Sequence, residues 1–157
     1  MKINVLFVCL GNICRSPSGE AVFTKMVQDA GLQHSISVDS AGIIDYHEGN
    51  PADERMQKHA EKRDYNLTSI SRPVNPIKDA NHFDYIIAMD SQNFKDLKSL
   101  LPKEHHHKIH LMNDFSKNNK GESVPDPYWG GSEGFELVLD MLEDACKGLL
   151  KDVKQRL

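Results

Sequence analysis

The sequence predicts an α/β fold in which a doubly wound, four-stranded parallel sheet is flanked by helices. Three observations carry that prediction. Short β-branched runs alternate with helical patterns, the first run is apolar enough for a strand covered on both faces, and a glycine-containing loop joins it directly to a helix.

The elements follow in order. Ile3 to Val8 reads as a central strand. Ser16 and Pro17 then supply an N-cap hydroxyl and a proline at the first helical position, and Ala21, Val22, Met26, Val27 and Ala30 recur at helical spacing until Gly31 ends the helix. Ser35 to Ala41 reads as the second strand. Asn50-Pro51 opens an amphipathic helix over 51–63. Phe83 to Met89 is the third strand, Ser91 to Leu101 a helix, and Lys108 to Met112 the fourth strand. The last helix starts after Ser132 and buries Phe135, Leu139, Leu142, Cys146 and Leu149. Right-handed crossovers between parallel strands set the binding crevice at their carboxyl ends. The loop from Cys9 to Arg15 falls on that rim, as do Ile44-Asp45-Tyr46 and Asp126-Pro127-Tyr128-Trp129.

A length of 157 residues suits a single domain, 1–157, able to bury a core without disulfides or metal. The net charge of −4 with no block of like charge argues against nucleic acid as a general partner. Three cysteines do not make an extracellular disulfide framework, so a reducing cytoplasm is expected. The apolar start is broken by Gly11-Asn12 and Arg15 and lacks a small-residue cleavage site, which argues against a secretory signal. No stretch is long enough to insert in a membrane.

Cys9-Leu10-Gly11-Asn12-Ile13-Cys14-Arg15 can curl so that successive backbone N–H groups of Leu10 to Arg15 aim at one point. Gly11 and Asn12 tolerate the left-handed angles this needs. Such a nest binds an anion, and the Arg15 fork adds a bidentate hold on two oxygens, so the expected ligand is a tetrahedral oxyanion such as phosphate. At the base of this phosphate-binding loop, amides, helix dipole and arginine all favour Cys9 as thiolate. Ser16 is placed to donate to the sulfur and ease its departure. The chemistry is nucleophilic attack on phosphorus. Asp126, on a proline-stiffened and aromatic-flanked loop, is the expected proton donor to the leaving alcohol, a role typically supplying ~10²- to 10⁴-fold. Asp90, Asp114 and Glu122 are weaker candidates.

Cys9 to Pro17 together with Asp126-Pro127-Tyr128 resembles the low-molecular-weight protein tyrosine phosphatase family over essentially the whole chain. The resemblance implies a metal-free, cofactor-free phosphocysteine mechanism with Cys9 as nucleophile, Arg15 as phosphate clamp and Asp126 as acid. It also implies a slot walled by Tyr46 on one side and Tyr128 and Trp129 on the other, suited to stacking on an aromatic ring. Phosphotyrosine proteins are then the partners, and inorganic phosphate the product. Ile13 argues against phosphoarginine relatives, which favour threonine there. The resemblance further implies that Cys14 can bridge to Cys9 under peroxide.

One departure concerns the loop. Where many relatives carry His-x-Ala-Arg, this chain reads Ser69-Ile70-Ser71-Arg72, so the histidine that helps hold the loop asparagine is missing. Ser40 or Ser69 is available to replace it.

Cys146 reads as core. His105, His106, His107 and His110 read as a solvated turn rather than a metal site, since they lack ordered ligand geometry. Two rival functions remain. Arsenate reduction needs closely spaced downstream cysteines, and after Cys14 there is only Cys146. A phosphate-recognition module needs neither a thiol nor an acid.

Overall fold

The computed structural model describes residues 2–157. Its sheet has the order β2-β1-β3-β4, with β1 (Ile3–Cys9), β2 (Ile36–Gly42), β3 (Tyr85–Ala88) and β4 (Ile109–Leu111) all parallel. The central strand has no polar face. Ile3, Val5 and Phe7 point into one core while Leu6 and Val8 point into another, which explains the continuous apolar run.

Helix α1 (Arg15–Asp29) and the long α5 (Ser132–Lys154) enclose the first core with α2 (Glu54–Glu61). Phe7 meets Phe23 of α1 edge-on at 5.7 Å. Gly19 permits that approach, because a Cβ there would lie 2.8 Å from Met89 Cε and 3.0 Å from Phe7 Cδ1. Phe135, Leu139, Leu142, Cys146 and Leu149 of α5 are all buried here. The second core lies under α3 (Lys78–His82) and α4 (Ser91–Leu100), where Leu97 and Leu101 cover Leu6, Val8 and Ile86.

Several boundaries differ from expectation, each for a local reason. Helix α1 begins at Arg15, with Cys14 rather than Ser16 at the cap position and Pro17 third in the helix. Proline is tolerated there because the first four N–H groups have no intrahelical partner. Ser16 does not cap because its hydroxyl is engaged by the loop asparagine and the Cys9 sulfur. Helix α2 is shorter than 51–63: Pro51 bridges to Ile70 instead, and Asp53 caps the helix by accepting from the N–H groups of Arg55 and Met56. The short α3 and the 3₁₀ segments Lys103–Lys108 and Met112–Phe115 carry no periodic signal and were not expected. Among the described residues, no helix is long and apolar enough to cross a membrane.

Candidate active site

The registers Cys9 to Gly42 and Val8 to Ala88 bring the ends of β1, β2 and β3 level, so the segments leaving β2 and β3 ring the loop after β1. β2 runs hard against it. A Cβ at Gly42 would lie 3.0 Å from the Leu10 carbonyl oxygen and 3.2 Å from Asn12 Cβ.

Asn12 makes the loop's left-handed step at φ 57°. Its buried amide is satisfied at both ends: Nδ2 donates to Ser16 Oγ at 2.8 Å and Ser40 Oγ at 3.0 Å, and Oδ1 accepts from the Arg72 N–H at 3.0 Å. Ser71 Oγ donates to the Gly11 carbonyl at 3.0 Å. The absent histidine is thus replaced by several groups. Ser40 accepts from Asn12 directly and donates to Glu20 at 2.6 Å. Burial pushes the Glu20 carboxyl up, opposed by the hydrogen bonds from Ser40 and Ser69.

This network ends on sulfur. Cys9 is 3% exposed, with Sγ 3.1 Å from Ser16 Oγ. Since that hydroxyl accepts from Asn12, its own proton is available to the sulfur, the other acceptor being the Ala41 carbonyl at 3.4 Å.

The Arg15 side chain is 3% exposed; Nη1 donates to Asp90 Oδ2 at 2.6 Å and to the Val124 carbonyl at 3.1 Å. Burial works against its charge, but Cys9 and Asp90 outweigh burial and hold the guanidinium protonated. Nη2 lies 3.6 Å from Asp126 Oδ2. With Nη1 held by the protein, the other edge of the fork is left for a ligand.

The four carboxylates separate cleanly. Asp126 lines the cavity over Cys9, its Oδ1 accepting from the Tyr128 N–H at 3.0 Å in a turn that Pro127 stiffens. Asp90 serves Arg15 with one oxygen and caps α4 through Asn93 N–H at 2.7 Å with the other, a supporting role the sequence reading missed. Asp114 and Glu122 stand outside the lining.

The cavity, about 250 Å³, has Cys9, Leu10, Gly11, Ile13, Cys14 and Arg15 as its floor. Tyr46 and Trp129, 80% and 87% exposed, form the mouth, and Tyr128 meets Trp129 edge-on at 4.8 Å. The cavity wall also includes Ile44, from the rim segment expected after β2, and His47, which was not foreseen. His47 packs 4.8 Å from the Tyr46 ring and so close to Gly11 that a Cβ there would lie 3.0 Å from His47 Cδ2. The only signal of His47 in the sequence was adjacency to Tyr46.

Cys14 is buried, and burial first, then the charges of Asp53 and Cys9, pushes its thiol up. The histidines diverge: His106 Nε2 contacts the Leu101 carbonyl at 2.9 Å, whereas His110 packs between Tyr85 and Phe115. Among the described residues, no group of three or more His, Cys, Asp or Glu is arranged to hold a metal ion.

Residues 4–157 match the family model described as low molecular weight phosphotyrosine protein phosphatase. A crystal structure of a protein tyrosine phosphatase from Entamoeba histolytica, with HEPES in its active site, is 47% identical and superposes with a TM-score of 0.95 over 98% of each chain. The low molecular weight protein-tyrosine-phosphatase of Streptomyces coelicolor is 40% identical over 99% of this chain and 96% of its own. The low molecular weight phosphotyrosine protein phosphatase of Gallus gallus is 41% identical over 94% of each chain. Because these matches run from β1 through α5, they take in the cradle and the late aspartate together, and the chain belongs to the low molecular weight phosphotyrosine protein phosphatase family.

Proposed function

We propose that the protein hydrolyses phosphotyrosine monoesters on proteins through a phosphocysteine intermediate, as a single metal-free domain acting in the cytoplasm. The observation that carries this reading is one cavity holding a buried thiol, a fixed guanidinium and a carboxylate. Cys9 Sγ attacks phosphorus while the amides of Leu10 to Arg15 and the open edge of Arg15 hold the nonbridging oxygens. As the S–P bond forms and the P–O bond breaks, Asp126 gives its proton to the phenolic oxygen. The resulting carboxylate takes a proton from water, which attacks phosphorus. The S–P bond breaks, Ser16 stabilises the departing thiolate, and inorganic phosphate leaves.

Tyr46, Tyr128 and Trp129 clasp the substrate ring at the mouth, a task for aromatic faces. Cys14 lines the same cavity as Cys9, which supports a second role for it. Peroxide oxidises Cys9 to the sulfenic acid, the Cys14 thiol displaces water to form a disulfide, and a reducing thiol reverses it. Peptide mapping after peroxide should recover Cys9 linked to Cys14; recovery of Cys9 only as sulfonic acid contradicts that role.

The test is phosphate release from a phosphotyrosine peptide by wild type and Asp126→Ala, with phosphoserine and phosphoarginine peptides as controls. Selective tyrosine turnover that falls ~10²-fold or more in the variant is expected. Tight phosphate binding without turnover would make the protein a recognition module instead.

A further inference from the structure

The slot opens beside a helix edge that its chemistry does not use. Arg55, Lys58 and Lys62 of α2 and its C-terminal flank are exposed, and their spacing of three and four residues puts them in one row. The row starts at the slot wall. Arg55 Nη2 donates to the Tyr128 carbonyl at 3.2 Å, and its guanidinium lies 5.4 Å from the centre of the Tyr128 ring.

Arg55 is also paired with Asp53 at 2.9 Å, which anchors the near end of the row. Lys58 and Lys62 enter no ion pair among the described residues, while the α5 carboxylates Glu136, Asp140 and Glu143 are engaged by Arg63. The two lysines, with Arg55, His59 and Glu61, line a shallow groove of about 530 Å³. On the β2–α2 loop, beside Tyr46 and His47, the exposed charges are acidic, Asp45 and Glu48. A chain of net charge −4 thus presents its slot between an acidic loop and a basic helix edge.

We infer that the α2 row of Lys58 and Lys62, continuing from Arg55, docks acidic residues of the phosphotyrosine substrate. The inference rests on the phosphotyrosine reading above and adds which phosphotyrosine segments are preferred. Seven helical residues carry the row about 10 Å from the slot wall. That is the reach of about three residues of extended peptide. The acidic residues therefore lie within about three positions of the phosphotyrosine, on the side that runs over α2, and basic residues there are disfavoured.

The test compares phosphotyrosine peptides carrying Asp or Glu on the N-terminal side, on the C-terminal side, on neither side, or Lys in their place, each with wild type and the Lys58→Glu/Lys62→Glu double variant. A small aryl phosphate reports on the chemistry alone. Wild type should favour one acidic peptide by about tenfold in kcat/KM, with the preference shrinking as salt is raised, and the variant should lose it. Turnover of the aryl phosphate should stay within about twofold. Equal turnover of acidic and neutral peptides by wild type overturns the inference, as does a variant equally impaired on the aryl phosphate. Failure of the phosphotyrosine reading is seen separately, as no hydrolysis of any of these esters by wild type. Peptide affinities measured on the Cys9→Ser background then decide the docking question alone. A defect confined to binding phosphatidylserine vesicles, with peptides unaffected, assigns the row to a membrane surface and overturns the proposal.

Discussion

Replacing Asp90 by asparagine tests how Arg15 is held. The change is nearly isosteric, and asparagine caps a helix as well as aspartate does, so the bond to Asn93 N–H and the start of α4 are kept. What is lost is the countercharge 2.6 Å from a guanidinium that is 3% exposed. Breaking a fully buried pair costs about 3–5 kcal/mol, and a hydrogen bond between charged groups is worth about 1.5–3 kcal/mol. Here Asp90 is 23% exposed, and Arg15 keeps the Val124 carbonyl, so the lower range applies, about 2 kcal/mol. For a chain of this length that lowers Tm by about 4–8 °C. An oxyanion in the cradle restores a negative charge to Arg15, so the deficit should shrink when phosphate is saturating. Differential scanning calorimetry of both proteins, with and without phosphate, reads this directly. A shift below about 1 °C, or an equal shift in both buffers, refutes the role given to Asp90.

Three other outcomes follow from the same geometry. Glu20 is pushed up by burial, so between the ordinary glutamate range and its raised folded value the native state binds more protons than the unfolded chain, and stability falls as pH rises through that window. Glu20→Gln keeps an acceptor for Ser40 and should flatten Tm against pH there; an unchanged slope contradicts the assignment. At Gly148 a Cβ would lie 1.9 Å from the Phe115 carbonyl oxygen, so Gly148→Ala must push α5 away from the Met112–Phe115 turn and should cost about 3 kcal/mol in urea denaturation. Because the phenolic oxygen leaves with a proton from Asp126, Asp126→Ala should slow hydrolysis of phenyl phosphate more than that of p-nitrophenyl phosphate, whose leaving group needs no proton; equal losses on the two esters argue against Asp126 as the acid.

The parts of the site that could be read from sequence are those whose partners are close in sequence or that have a distinctive residue pattern. Cys9, the loop glycine and asparagine, and Arg15 occupy one short stretch, and Asp126 stands in an unusual proline and aromatic setting. β1 and α5 were legible because burial on both faces and a long apolar stripe leave few alternatives. The supports were not. Asp90 meets Arg15 from 75 positions away, and Ser71 and Arg72 reach Gly11 and Asn12 from 60 positions away, so only the folded sheet brings them together. Ser16 shows a different limit. One hydroxyl fits both a helix cap and a thiol partner by sequence, and the left-handed turn at Asn12 decides for the thiol.

The central claim is a phosphoryl group carried on Cys9. Asp126→Ala mixed rapidly with p-nitrophenyl phosphate, whose leaving group departs without a proton, should release a burst of nitrophenol and stall before hydrolysis. Acid quench and peptide mass spectrometry should then find one phosphoryl group on Cys9 and none when Cys9→Ser is treated alike. Full turnover with no burst and no modified Cys9 would contradict the account, because phosphorus would then have passed directly to water.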